Sequence, residues 1–208
     1  MRKIFIAFSL LLCMSTTVQA QETSVGITAG FGHSWLSNQD GKTLFHPAFN
    51  FGGTFIYSTV THWGFGFDVK YSREGNRVRY SPSDNKVWNN LDYVRIPIRV
   101  TYFFNNLDRK IRPKISLAPT MGFLAAAHYI AEDNNGHEYA NVSNKDNVNG
   151  FDFGIAGAIG VNFRVSERMW FTTELAYYNG FANVSKNGST ALNRNASINL
   201  GLTYGIGK

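Results

Sequence analysis

The C-terminal tail constrains the fold most tightly. Ala196, Ile198, Leu200, Leu202, Tyr204 and Ile206 alternate with Ser197, Asn199, Gly201, Thr203 and Gly205. Residues two apart share one face of a strand, so this segment has one apolar face and one small or polar face. From Gly150 the pattern repeats: Phe151, Phe153, Ile155, Gly157, Ile159, Val161 and Phe163 lie against Asp152, Gly154, Ala156, Ala158, Gly160, Asn162 and Arg164. Such a run exceeds an ordinary globular strand. It suits a tilted strand that crosses a bilayer in about 9–11 residues plus its ends.

Six further segments read the same way. Their apolar positions run through Val25–Trp35, Phe49–Tyr57, Trp63–Tyr71, Val94–Tyr102, Ile115–Phe123 and, least regularly, Phe171–Tyr177. Alternation alone also describes a soluble barrel or sandwich, so the size of the two faces decides. One face is crowded with Phe, Trp and Tyr, and the lumen of an eight-stranded barrel is only just wide enough for side chains to fill. The aromatic face therefore points outward to lipid, with Trp35, Trp63 and Tyr102 near strand ends suiting interfacial girdles. The fold class expected is all-β, an eight-stranded antiparallel transmembrane barrel of the outer-membrane type. Long connections near 36–46, 73–90, 129–149 and 182–193 alternate with short ones near 60–61, 105–111 and 166–168, the asymmetry of long outer loops and short periplasmic turns. An even strand count leaves both termini in the periplasm. Pro97 and Pro119 each remove a ladder hydrogen bond and should mark a bulge or local break.

The N-terminus reads as a cleaved signal peptide, residues 1–20, with the barrel domain at 21–208. Arg2 and Lys3 precede the apolar run Ile4–Met14, and Val18-Gln19-Ala20 supplies small residues at the cleavage spacing. Cys13, the only cysteine, lies inside this leader behind Leu12 rather than a small residue, which disfavours lipidation. The remainder then holds no thiol for disulfide or nucleophilic chemistry. Setting Arg2 and Lys3 aside leaves 18 basic against 14 acidic residues, scattered without a run. Nucleic-acid binding is not indicated.

Several segments resemble the PorT-like outer-membrane β-barrel domain family of Bacteroidetes. Leu91-Asp92-Tyr93-Val94-Arg95-Ile96-Pro97-Ile98 is similar to its Tyr-Leu-Glu-Ile-Pro-Leu segment, and Tyr71-Ser72-Arg73-Glu74-Gly75 to its Tyr-Ser-x-x-Gly strand end. Phe151-Asp152-Phe153-Gly154, Gly157-Ala158-Ile159-Gly160-Val161 and Asn193-Arg194-Asn195-Ala196 resemble its later strands. The chain departs from the pattern at Arg95 (usually Glu), at Ala176 (usually Arg) and at Lys208 (usually an aromatic). The resemblance implies an outer-membrane location but no single function; the family's founding member is tied to protein secretion, which makes an accessory role there one expectation.

The inward face carries Asp68, Lys70, Arg95, Arg99, Lys114, Asp152, Arg164 and Glu174. Buried charges must pair, so this set reads first as a salt-bridged filling of the lumen, and Arg95 and Glu174 are expected to pair across it. The other reading is a narrow ion or solute path. His62, His128 and Glu174 share an inward parity, the raw material of a lipid-modifying hydrolase, but no nucleophile motif accompanies them. Glu132–Glu138 resembles a calcium loop with its first and last ligand positions occupied by Ala131 and Val142, so no metal or other cofactor is expected. Arg77, Arg79, Tyr80 and Trp88 mix cations and aromatics, common components of binding surfaces, and are the loop contact candidates. The function expected is a monomeric, non-enzymatic barrel with a structural or interaction role. Its partners would be outer-membrane lipid and lipopolysaccharide and an envelope or secretion protein.

Overall fold

The computed structural model describes residues 22–59, 61–81, 85–188 and 190–206. The leader, with Cys13, and Lys208 lie outside the described residues. Ten strands form one antiparallel sheet: β1 (Glu22–Leu36), β2 (Lys42–Leu44), β3 (Pro47–Ser58), β4 (Trp63–Arg79), β5 (Lys86–Phe103), β6 (Ile111–Glu132), β7 (Glu138–Ser143), β8 (Phe151–Arg164), β9 (Met169–Asn183) and β10 (Leu192–Gly205). Eight of them close a ring in the order β1-β3-β4-β5-β6-β8-β9-β10, with β10 returning to β1 through the register Ser24↔Gly205 to Leu36↔Asn193. Closure leaves no free edge, the condition for a sheet in lipid.

The period-two pattern sets the wall. Ile27, Phe51, Phe65, Phe67, Ile98, Leu117, Ile159, Leu175, Ile198 and Leu200 are exposed on the outside. Their alternates, including Asp68, Lys114, Asp152 and Glu174, are buried inside. A soluble protein does not expose so continuous an apolar surface. Aromatics gather at both rims. Trp63 packs edge-on against Tyr102 at 5.1 Å near the end that carries the termini, and Trp35 approaches Tyr177 at 6.1 Å near the far end.

The prolines interrupt the ladder without shifting it. Pairing of β4 with β5 skips from Phe67↔Ile98 to Lys70↔Arg95, and pairing of β5 with β6 from Pro97↔Thr120 to Val100↔Leu117, each resuming in the same register. A bulge falls elsewhere, at Ala125, between the pairs Asp92↔Ala126 and Tyr93↔Leu124. Here β6 leaves β8 and takes β7 as its neighbour. The extra residue exchanges its faces: Lys114, Ser116 and Thr120 are buried before it, Ala127 and Ala131 after it. This corrects the inward placement of His128, which is exposed beyond the bulge.

Two of the long connections are largely strand rather than loop. Past the apolar band, β4, β5 and β6 continue and recruit β2 and β7, so that a sheet in the order β2-β4-β5-β6-β7 rises from one side of the far end. The loop expected at 73–90 is mostly the paired ends of β4 and β5, with Tyr80 N–H donating to Asn85 O at 2.9 Å beyond them, and the one at 129–149 holds the β6–β7 hairpin and a short 3-10 turn, Lys145–Asn147.

Candidate functional site

The lumen is packed at three levels. Nearest the termini, the Arg112 guanidinium lies 3.8 Å from the Phe103 ring centre and 5.8 Å from that of Trp170. Arg112 is 1% exposed, and its Nε donates to the Asn105 carbonyl at 3.1 Å. Arg164 belongs to this level rather than to an ion cluster, donating to the Leu107 carbonyl and lying over Trp170 at 4.7 Å.

The middle level holds two ion clusters. In the first, Arg99 Nη2 meets Asp68 Oδ2 at 2.6 Å and Arg99 Nη1 meets Glu174 Oε1 at 2.8 Å. Lys114 Nζ reaches the same Glu174 oxygen at 2.5 Å, and Lys70 Nζ reaches Asp68 at 3.1 Å. In the second, Arg95 meets Glu74 at 2.6 Å and Asp152 at 2.7 Å. Tyr178 accepts from Arg95 at 3.0 Å and donates to Asp152 at 3.1 Å, while Ser72 and Asn193 donate to Glu74 at 2.7 and 2.5 Å. The Arg95 guanidinium lies 4.5 Å from the Tyr93 ring centre and 4.4 Å from that of Tyr178. Gly122 makes this possible, because a Cβ there would stand 2.6 Å from Arg95 Nη1. The clusters together hold Arg95, Arg99, Lys70 and Lys114 against Asp68, Glu74, Asp152 and Glu174, so their formal charges cancel.

Every one of these eight charges comes from β4, β5, β6, β8 or β9. The facing wall of β10, β1 and β3 is lined by small and amide side chains such as Gly30, Asn50 and Asn199, with Asn50 donating to Asn199 at 3.0 Å. Long side chains on one half thus reach across to short ones on the other, leaving a cavity of about 90 Å³ between them.

The third level is apolar. Leu36, Leu91, Tyr93, Ala127, Val148, Val184 and Ala191 cluster under the far mouth. Val148 and Val184 come from connecting segments that fold inward, held by the Val148↔Ser185 bridge and the Asn149 side chain donating to Asn183 O at 2.8 Å.

The expected pair of Arg95 with Glu174 does not form: each belongs to a different cluster. The reason is axial offset, since Arg95 lies four residues along β5 from Arg99, and Arg99 is what Glu174 meets. Sequence reasoning missed Glu74, Arg112 and Tyr178. All three continue an inward parity already in view (Asp68-Lys70-Ser72-Glu74, Arg112-Lys114-Ser116, Glu174-Ala176-Tyr178). Glu74 was lost because the strand was ended too early.

The hydrolase candidates do not assemble. His62 Nδ1 lies 2.7 Å from the Phe103 carbonyl, His128 is outside, and Glu174 is held by two cations. A different chain, Ser34 Oγ to His46 Nδ1 at 3.0 Å and His46 Nε2 to Asn90 Oδ1 at 3.0 Å, joins β1 to β5 across the seam above β3. Ser34 is 0% exposed. Burial, the largest influence, holds His46 below the usual histidine range. In the β6–β7 turn Asp133 Oδ1 accepts the backbone N–H of Asn135 and of His137, each at 2.9 Å, closing the hairpin with the carboxylate a metal would need. Among the described residues no group of three or more acids, histidines or cysteines is placed to hold a metal.

Of the loop contact candidates, Arg77, Arg79 and Trp88 sit on the sheet that rises past the apolar band, and Tyr80 follows the end of β4. Arg77 lies 3.8 Å over the Trp88 ring and 3.6 Å from Glu132. Below them Arg73 makes a two-pronged contact with Asp92, 2.7 and 3.0 Å, over the Phe49 ring.

A closed eight-stranded ring with an aromatic outer face and a charged, packed interior defines a membrane β-barrel. The family described as outer membrane protein beta-barrel domain matches residues 19–186, and the chain belongs to it. The protein is therefore a β-barrel of the bacterial outer membrane. Comparison with curated proteins gives no significant match. Among solved structures the chain is similar to OprG of Pseudomonas aeruginosa, with TM-score 0.57 and 16% identity over 91% of this chain and 98% of that one. It is also similar to Neisserial surface protein A, with TM-score 0.50 and 14% identity over 89% and 99%. At these identities the likeness describes the fold alone.

Proposed function

We propose that this protein is a closed, non-enzymatic barrel that acts through the surface it presents at its far end. The observation that carries the reading is the contrast between the two: the lumen is filled at three levels, while β2, β4, β5, β6 and β7 build a standing sheet beyond the apolar band. Barrels of eight strands have little interior to spare, whereas open channels belong to barrels of about 16 strands or more. In this reading the termini and short turns face the periplasm, the sheet faces outward, and the eight lumen charges are a structural filling. The resemblance to the PorT-like family supports an accessory role in protein secretion, with an envelope protein as partner.

The test is cross-linking in native envelopes from the tagged protein, compared with a variant whose 78–86 hairpin is shortened to a two-residue turn. A partner that is lost with the hairpin and kept when the 105–110 turn is altered fits the proposal. A partner that follows the short turn instead, or altered lipid A in a deletion strain, would overturn it in favour of a periplasmic or an enzymatic role.

A further inference from the structure

The far mouth holds a cup of about 330 Å³ above the apolar cluster. Its floor is that cluster, with Leu36, Leu91, Val148 and Val184 buried beneath it. One wall is the inward face of the standing sheet. There the register sets Asn76, Asn89 and Tyr129 side by side on β4, β5 and β6. Asn89 falls between the buried Val87 and Leu91, and Tyr129 between the buried Ala127 and Ala131, which turns both side chains inward. The other wall comes from the segments that follow β7 and β9, with Asn144, Asn147 and Asn187 at the rim.

Carboxamides run along both walls in hydrogen-bonded chains. Asn187 Nδ2 donates to Asn147 Oδ1, and Asn147 Nδ2 to Asn144 Oδ1, each at 2.8 Å. Across the cup Asn89 Nδ2 donates to Asn76 Oδ1 at 2.9 Å, and Asn76 Nδ2 to Gln39 Oε1 at 3.4 Å. Each chain runs in one direction. It therefore ends in a carbonyl oxygen that can accept (Asn187, Asn89) and in an amide N–H that can donate (Asn144, Gln39). The walls are fixed from behind: Asn144 N–H donates to Ala127 O at 2.9 Å, Lys186 N–H to Asn147 O at 3.0 Å and Asn149 N–H to Val184 O at 2.8 Å. Little ordering is then left to oppose binding.

Among the described residues no charged side chain lines the cup. Lys145, Asp146 and Lys186 share its connecting segments but are exposed, and Lys145 Nζ is turned to Ala125 O at 3.1 Å. An ion or a zwitterion would lose hydration in the cup with no counter-charge to replace it. A hydrocarbon ligand would strip water from the carboxamides without offering them partners. The lining suits a neutral molecule with donors and acceptors on two sides and one small apolar group for the floor.

We infer that the cup binds a neutral saccharide of one or two rings that carries an acetamido group. Hydroxyls both donate and accept, as the chain ends require. The apolar face of a sugar ring packs on the Tyr129 ring, and the acetamido methyl meets the floor at Val148 and Val184. A plain hexose would put a hydroxyl over that floor and lose its hydrogen bond. The volume sits at the small end of ligand pockets, which span about 300–1,000 Å³. This deepens the reading of the far end as the acting surface, and rests on it for the side from which the sugar arrives.

The experiment uses the full barrel in detergent, with N-acetylglucosamine and N,N′-diacetylchitobiose as probes and binding read by saturation-transfer NMR and calorimetry. A ligand of about 15 non-hydrogen atoms at ordinary efficiency gives a dissociation constant of about 1 mM, and its acetyl methyl should receive the strongest saturation. Glucose and glucosamine should bind about tenfold more weakly or worse; equal binding by glucose would overturn the acetamido assignment. Asn147→Ala with Asn187→Ala should weaken N-acetylglucosamine by about tenfold or more, and Asn89→Ala likewise. Asn134→Ala with Asn135→Ala, in the β6–β7 turn, should change nothing. Asn147 and Asn187 are exposed, and an unaltered difference in gel mobility before and after boiling checks that each variant keeps the barrel. Equal binding by wild type and both rim variants, or saturation of no sugar, would overturn the inference. No sugar binding while a partner still depends on the 78–86 hairpin would sink this inference alone. A partner that follows the short turn would sink the reading of the far end and leave sugar binding in detergent untouched.

Discussion

Replacing Arg95 with methionine should be among the most damaging single changes available to the barrel. The side chain is 4% exposed and, among the described residues, is the cation that meets both Glu74 and Asp152, which are 3% and 0% exposed. Methionine fills much of the volume but leaves two carboxylates without their counter-ion. Removing one partner of a buried ion pair costs about 3–5 kcal/mol. Tyr178, Ser72 and Asn193 continue to donate to the stranded acids, which moderates the loss. The Tyr93 and Tyr178 rings lose a cation held between them, about 1 kcal/mol more. A net loss near 4 kcal/mol follows. Denaturant unfolding of the barrel in phospholipid vesicles, followed by tryptophan fluorescence, would read it. Adding Asp152→Asn to Arg95→Met should give a coupling of about 1–3 kcal/mol, whereas Arg95→Met with Glu174→Gln should add within about 0.5 kcal/mol, since those two have no shared partner. A loss below about 1 kcal/mol, or equal coupling in both cycles, would refute the assignment of two separate clusters.

Other perturbations have definite outcomes. Gly75 has φ +128°, and a Cβ there would stand 1.7 Å from the Asn89 carbonyl oxygen, so Gly75→Ala should cost about 2–3 kcal/mol in the same unfolding assay. His46 lies outside the membrane-crossing segments, and burial lowers its pKa. Its folded pKa is below the unfolded 6.5, so the stability it contributes is fully present above about pH 6.5 and declines as pH falls below that value. His46→Gln should flatten that part of the stability–pH curve. The closed ring should also keep the unboiled protein migrating differently from the boiled one on a detergent gel, and identical mobility would argue against closure.

Much of the wall was legible because a strand's period is two and lipid tolerates no exception. Ile198, Leu200 and Leu202, or Phe65 and Phe67, declare their face without help from the rest of the chain. That Pro97 and Pro119 disturb the ladder was legible for the same reason, since a missing N–H is a local fact, but whether by a bulge or a break was not. The bulge at Ala125 was not, because a one-residue insertion leaves no trace in an alanine run, and it carried His128 to the other side. The extended sheet was hidden because its outward face becomes polar once it leaves the apolar band. Arg73, Arg77 and Arg79 therefore read as loop although they keep the alternation with Glu74, Asn76 and Val78. Inward parity grouped Asp68, Lys70, Arg95, Arg99, Lys114, Asp152 and Glu174, but it also counted Arg164, which stands apart, and left out Glu74. Which cation meets which acid depends on axial offset between strands distant in sequence, and the single-strand parity that named Arg95 and Glu174 does not contain it.

Single-channel recording of the purified full-length barrel in a planar bilayer tests the central claim most directly. The Arg112–Phe103–Trp170 contacts, the two ion clusters and the apolar cluster beneath the far mouth occupy the lumen at three separate heights. No large, steady conductance should appear, and brief flickers would be compatible with breathing of the filling. A stable, porin-sized open state would contradict the packed lumen and move the protein from a surface that binds to a pore that conducts.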